Sequence, residues 1–304
     1  MLRNALFSKT SCVAFLLMFL ASAPCLAHGT HSKKTLEKIA ETKTITLGYQ
    51  DDAFPFSYVE AQQPAGYSID ICKKVVDAIK TKLKIKDLKV RWIKSSTASQ
   101  FVLIKNHVAD MMCIPAFYSD LRHQKAEFSL PYFFSSTRFI TRKNNNIDTI
   151  EDLAGHSVLV KSGTLYVEQV HSINKKDDLN LNIELDNNNK SAFEEVQAGE
   201  LPALISSAAI LRGMAVLSPK PDELEISKDA LSPPIPAGFL LPLEDSEFKS
   251  FLDVTMQAIL TSKDFLALYQ RWFQSPIPPK AVNLNLPMSA SLKALITSTS
   301  NYAY

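Results

Sequence analysis

The stretch "GYSIDICKKVVDAIKTKL" places Ile71, Val75, Ile79 and Leu83 one residue in four, the spacing of an amphipathic helix with one core-facing side. Ser68 is positioned to cap this helix, and Asp70 falls in its first turn. The segment before it, "TITLGY" from Thr44, is β-branched and reads as a strand; the one after it, "LKVRWI" from Leu88, reads as a second. Strand, helix, strand predicts a parallel sheet with crossover helices. That order confines the chain to the α/β class, where ligand sites gather at the carboxyl ends of the strands.

The same alternation continues. "SQFVLIKNHVADMMCI" reads as a short helix and a strand, and "PYFFSSTRFITRK" as an extended crossing. A second α/β unit follows: a short helix at Ile150 to Leu153 stopped by Gly155, the strand "SVLV", a helix from Leu165, the strand "LNIEL", the helix "KSAFEEVQAGE" ending at Gly199, and the strand "ALIS". "IPAGFLLPL" is read as the return crossing. Two closing helices, with faces of Phe248, Leu252 and Ile259 and of Phe265, Leu268, Tyr269 and Trp272, would pack on the first unit. The expectation is a two-lobed α/β fold with a hinge of two crossings. Residues 1–27 form a leader, 28–139 and 239–304 one lobe with the C-terminal helices and tail, and 140–238 the other.

The leader rests on Arg3 and Lys9, an apolar run from Val13 to Ala21, and small residues up to a cleavage point at Ala27. The run is shorter than the roughly 20 apolar residues of a spanning helix. A lipid anchor on Cys25 is disfavoured by Pro24 directly before it. Cleavage directs the chain to the periplasm and lowers Lys+Arg from 33 to 31 against 31 Asp+Glu. A chain without net charge lacks the basic face that nucleic acid or an anionic membrane requires. Cys72 and Cys113 remain; an oxidising compartment allows them to pair, and two buried thiols are equally compatible with their spacing. No metal or cofactor is expected: no ligand spacing occurs, and His28 to His31 read as a solvated tail.

Several stretches carry a resemblance: "FPFSY", "GYSIDI", Arg122 with "FSLPY", "TRFITRK", "EDLAGHSVLVKSGT" and "RWFQSPIPPK". Together they resemble the extracytoplasmic solute-binding proteins of polar amino acid ABC transporters, over nearly all of the mature chain. The last motif is specific to the glutamate/aspartate-binding branch; the others are typical of the wider family. The resemblance implies a type II two-lobed fold, a small-molecule ligand such as an amino acid or organic acid, an inner-membrane ABC permease as partner, and a monomer. It implies that Arg122 holds the ligand carboxylate in a bidentate pair, a geometry lysine does not supply. It gives Ser162, Gly163 and Thr164 the task of offering a hydroxyl and helix N-terminal amides from the other lobe, and makes Phe54 and Phe56 an aromatic wall. From the residues alone, Arg122 is also compatible with a surface charge, the glycine turn with a plain connection, and the phenylalanines with core.

The chain departs from the family where the ligand is read. Ile114, Pro115, Ala116 and Phe117 replace small hydroxyl residues before the arginine, and proline has no amide hydrogen. Ser207, or Ala208, stands where the second lobe supplies an acid for the ammonium, and Gln50 and Gln100 stand where binders of acidic side chains carry arginines. These exchanges argue against glutamate and aspartate and for a less charged, more apolar solute. Three functions follow: a transport receptor for a small carboxylate, a binding lobe that has become a sensor or accessory subunit, and a dehydratase-like enzyme. The last needs a cleft acid, and Asp51 and Asp52 read as solvated turn residues.

Overall fold

The computed structural model describes residues 34–298. The leader, its cleavage point and the tail at His28 to His31 lie outside the described residues.

Along the chain, helix α1 (Thr35–Thr42) leads into strand β1 (Thr44–Tyr49). A small antiparallel sheet follows, β2 (Asp52–Ala53), β3 (Ser57–Glu60) and β4 (Gln63–Ala65), and then the long helix α2 (Tyr67–Leu83). Next come β5 (Lys89–Lys94), α3 (Gln100–Lys105), β6 (Met111–Phe117), the one-turn α4 (Asp120–His123), β7 (Glu127–Phe128) and β8 (Phe133–Ser135). The middle of the chain forms β9 (Thr137–Arg142), β10 (Ser157–Lys161), α5 (Leu165–Lys176), β11 (Asn182–Asp186), α6 (Asn189–Ala198), β12 (Ala203–Ser207), α7 (Ala208–Leu217) and β13 (Leu224–Ile226). It closes with β14 (Ile235–Leu241), α8 (Ser246–Leu260), α9 (Lys263–Phe273) and α10 (Ala290–Thr297).

These strands build two mixed sheets. In the first, β1 lies parallel between β5 and β6, and β14 runs antiparallel to β6, β7 and β8. In the second, β10 lies parallel between β11 and β12, while β9 runs antiparallel between β12 and β13. Each parallel core thus carries one antiparallel strand, contributed by the chain as it arrives from the other sheet. The first passage is as short as Ser136, between β8 and β9. The second is the stretch 227–234; "IPAGFLLPL", read as the crossing, is itself strand β14 of the first sheet. The boundaries drawn at 139/140 and 238/239 therefore fall inside β9 and β14, each of which lies whole in one sheet.

Helix α2 is amphipathic as its spacing requires, with Ile71, Val75 and Ile79 fully buried. Its cap differs from the expectation. Gly66, not Ser68, precedes the helix; its φ of 132° suits glycine, and a Cβ there would come within 2.1 Å of the Phe56 carbonyl. Ser68 is buried inside the helix and shares a 2.7 Å hydrogen bond with the Tyr132 hydroxyl. Around Tyr67 stand the rings of Phe56, Tyr132, Phe133, Phe265, Tyr269 and Phe273, with centres 4.9 to 6.3 Å away. The closing helix α9 joins this cluster, and its Trp272 donates Nε1–H to Asp70 at 3.0 Å. Aromatic pairs of this kind each add about 0.5–1.5 kcal/mol beyond the area they bury.

Cys72 of α2 and Cys113 of β6 form a disulfide, with Cα atoms 6.0 Å apart and 41 residues of sequence separation. Closing a loop of that length stabilises by about 3–4 kcal/mol in the chain-entropy account. Urea unfolding of oxidised and reduced protein should differ by about this amount; coincident midpoints would mean that the two cysteines are not bonded in solution.

Candidate ligand site

A small cavity of about 50 Å³ lies between the two sheets. The first sheet and its loops contribute Gln50, Ala53, Thr97, Gln100, Ile114, Pro115, Phe117 and Arg122; the second contributes Lys161, Thr164, Tyr166, Asn189, Ser206 and Ile210. Such a space suits a few waters or a molecule of a handful of heavy atoms. The second-sheet residues sit at strand ends and in the first turns of α5, α6 and α7, where helix dipoles favour negative charge.

Arg122 is held on α4 with its guanidinium 5.3 Å over the Phe101 ring, and Nη1 donates to the Phe117 carbonyl at 2.8 Å. Its Nε is sealed from solvent and has no hydrogen-bond partner among the described residues. Burial pulls its pKa from the usual arginine range to about 10, which leaves it fully charged at neutral pH; the Tyr166 and Glu168 side chains work in the opposite direction. Tyr166 is pushed above the ordinary phenol range by burial, against the effect of the Arg122 guanidinium and the Ser207 hydroxyl.

Asp52 is not a solvated turn residue. Its Oδ2 lies 2.6 Å from Lys161 Nζ, with both side chains nearly inaccessible at 9% and 5% exposure. The same oxygen accepts from the Asn189 amide at 3.1 Å, and the Asn189 side chain donates to the Asp52 carbonyl at 3.1 Å. Asp52 belongs to β2, Lys161 to β10 and Asn189 to α6, so the pair bridges the two halves of the cleft. Beside it, α7 approaches the Phe54 backbone so closely that a Cβ on Gly213 would meet the Phe54 carbonyl at 2.7 Å.

Family relationships fit this geometry. The pattern of the bacterial extracellular solute-binding proteins, family 3, matches residues 45–275. The chain is 34% identical over 297 residues to the L-glutamate/L-aspartate-binding protein of Pseudomonas aeruginosa, covering 97% of this chain and 96% of the relative. It is 32% identical to the glutamate/aspartate import solute-binding protein of Salmonella typhimurium, over 88% of this chain and 89% of the relative. The chain belongs to family 3. Among solved structures, a cysteine-binding protein from Campylobacter jejuni superposes with a TM-score of 0.69 at 20% identity, over 79% of this chain and 93% of that one. An ancestral amino acid-binding protein, a precursor of cyclohexadienyl dehydratase, gives 0.67 at 22%, over 79% and 99%. The fold is the two-lobed type II fold.

Of the residues singled out in the sequence of this family 3 protein, Arg122, Thr164, Gln50, Gln100, Ile114, Pro115 and Phe117 line the cavity. The others do not. Phe56 is fully buried among Tyr67, Phe133 and Phe273 and is core, whereas Phe54 packs on Tyr58 and borders a neighbouring hollow with Asp52 and Asn189. Ala116 does not line the cavity and packs in an apolar cluster with Met112 and Phe128. The Ser162 amide is committed to the Asp186 carbonyl at 2.7 Å, and Gly163 lies against Thr97 and Ala98 at the rim. Ser207 accepts from the Ile210 amide as the cap of α7, and its neighbour Ser206 lines the cavity instead. Lys161, Asn189 and Tyr166 escaped the sequence reading, although a lysine closing the otherwise apolar strand "SVLV" signals a buried charge that needs a partner.

Replacing Asp52 by Asn should leave Lys161 unpaired. Breaking a buried pair costs about 3–5 kcal/mol where the charge stays trapped, but here the halves can separate and let water reach it. The expected result is a larger radius of gyration by small-angle scattering, with a smaller loss in unfolding free energy than that figure. An unchanged scattering profile would show that the pair does not hold the two halves together.

Proposed function

We propose that this protein is a periplasmic receptor, exported behind its leader and acting as a monomer, that captures a small carboxylate between its two lobes and presents it to an inner-membrane ABC permease. The observation that carries this reading is Arg122: a half-buried cation whose Nε–H is sealed from solvent and unpaired, beside a cavity lined by both lobes. Arginine supplies a planar fork for a carboxylate, and the first turns of α5, α6 and α7 add favourable dipoles. The relatives from Pseudomonas and Salmonella are named for glutamate and aspartate. Gln50 and Gln100 line the cavity here, and neither offers a charge to a second carboxylate. A smaller acid suits this space better than either dicarboxylate. No carboxyl group lines the cavity among the described residues, which supports binding over dehydration, a reaction that needs a general acid.

Thermal unfolding with a panel of amino acids and organic acids tests the reading. A ligand at a hundred to a thousand times its dissociation constant should stabilise by roughly 3 to 4 kcal/mol. Arg122→Ala should remove the shift, and Arg122→Lys, which keeps the charge without the fork, should retain only part of it. If no acid shifts the midpoint, or if the shift survives Arg122→Ala, the receptor reading or its site is wrong.

A further inference from the structure

Two more buried polar atoms at this cavity lack partners. Gln100 Oε1 and Asn189 Oδ1 are sealed from solvent without a hydrogen bond, in side chains that are 1% and 5% exposed. Their orientation is fixed by chemistry: the Gln100 amide nitrogen donates to the Thr97 carbonyl at 2.9 Å, and that of Asn189 donates to the Asp52 carbonyl. Neither amide can flip without setting oxygen against oxygen. Among the described residues, those that line the cavity therefore hold one unpartnered cationic donor, Arg122 Nε–H, and two unpartnered neutral acceptors, one from each lobe.

The charge balance separates the ligands that could satisfy them. Lys161 is neutralised by Asp52, whose Oδ2 is already shared with the Asn189 amide. Of the other acids near the cleft, Asp51 is paired with Lys94, and Glu168 stands outside the cavity lining, in an adjoining hollow that Arg122 also borders and from which it acts on the guanidinium through space without a hydrogen bond. Among the described residues that line the cavity, Arg122 is then the one charge without a directly bonded ionic partner. A monoanion brings the enclosed site to neutrality. A zwitterionic amino acid leaves it at one positive charge and adds an ammonium that no free carboxylate meets, which is costly away from water.

Resting on the receptor reading above, we propose that the solute is a short monocarboxylate that carries a neutral hydrogen-bond donor, a hydroxyl being the simplest, where an amino acid carries its ammonium. The carboxylate takes Arg122, and the hydroxyl, which has a single hydrogen, donates to one of the two acceptors, Gln100 Oε1 or Asn189 Oδ1. The size of the cavity restricts the acid to a few heavy atoms.

Titration calorimetry with glycolate, L-lactate, propionate, L-alanine and L-glutamate decides the matter, because lactate and alanine differ only in hydroxyl against ammonium. Lactate or glycolate should bind about a hundredfold more tightly than alanine, and propionate, which leaves both acceptors unsatisfied, about tenfold more weakly than lactate. Gln100→Met should bring lactate and propionate close together, and Gln100→Glu, which supplies a carboxylate, should raise the ratio of alanine to lactate affinity. Alanine or glutamate binding as tightly as lactate overturns the proposal and leaves carboxylate capture at Arg122 standing. Propionate equal to lactate overturns the part assigned to Gln100 and Asn189. Failure of every compound, zwitterions included, removes the receptor reading and this one with it.

Discussion

The ion pair between Asp52 and Lys161 joins the two halves of the molecule across the cavity, and the character of the site follows from it. Removing two charges from water costs several kcal/mol each, which their attraction repays only with good geometry and further hydrogen bonds. Both conditions are met: the contact is 2.6 Å, and the same Asp52 oxygen also takes the amide that opens helix α6. The pair exists only while the halves touch. In the separated arrangement both groups return to water, so the interaction biases opening against closing more than it stabilises the fold. A closing equilibrium of this kind responds to any ligand by its differential contacts in the two arrangements.

The same pair sets the electrostatics of the cleft. By pairing the second lobe's lysine with the first lobe's aspartate, it withdraws one charge of each sign from ligand recognition. What remains is a single arginine among neutral amides, hydroxyls and an apolar wall. Pro115 sharpens the selection. Strand β6 pairs with β1 only as far as Met112, and beyond that point its backbone leaves the β1 ladder and borders the cavity. An ordinary residue at 115 would offer an amide hydrogen there; proline offers none.

The fold is legible in the sequence to the extent that it depends on periodicity. The one-in-four spacing of Ile71 to Leu83 and the β-branched segments on either side specify a crossover unit, and the structure contains it. The return passage is less legible, because "IPAGFLLPL" has the apolar composition of a buried strand and its pairing with β6 lies more than a hundred residues away in sequence. The site is legible in part for a similar reason. Arg122 and Thr164 stand in recognisable motifs, whereas Phe56 looks like a wall only until Tyr67 and Phe273 are known to enclose it. Ser206 and Ser207 differ by one position on a strand, and the choice between them is made by α7, which takes Ser207 as its cap. Asp52 has the appearance of a turn residue in "QDDAF", since its partner Lys161 is 109 residues away.

The wall that carries Arg122 is fastened independently of the cleft. Cys113 is bonded to α2, the Ile114 carbonyl accepts from the Tyr132 hydroxyl at 2.7 Å, and the Phe117 carbonyl accepts from Arg122 itself. Three positions of β6 are thereby tied by contacts that use neither ligand nor second lobe. A group held in place before binding loses little further entropy when its ligand arrives. On the receptor reading proposed above, the free energy of capture is then available to bring Lys161, Thr164 and Asn189 across to a wall that is already set. The disulfide, the aromatic cluster around Tyr67 and the Tyr132 bond hold β6 whatever lines the cavity.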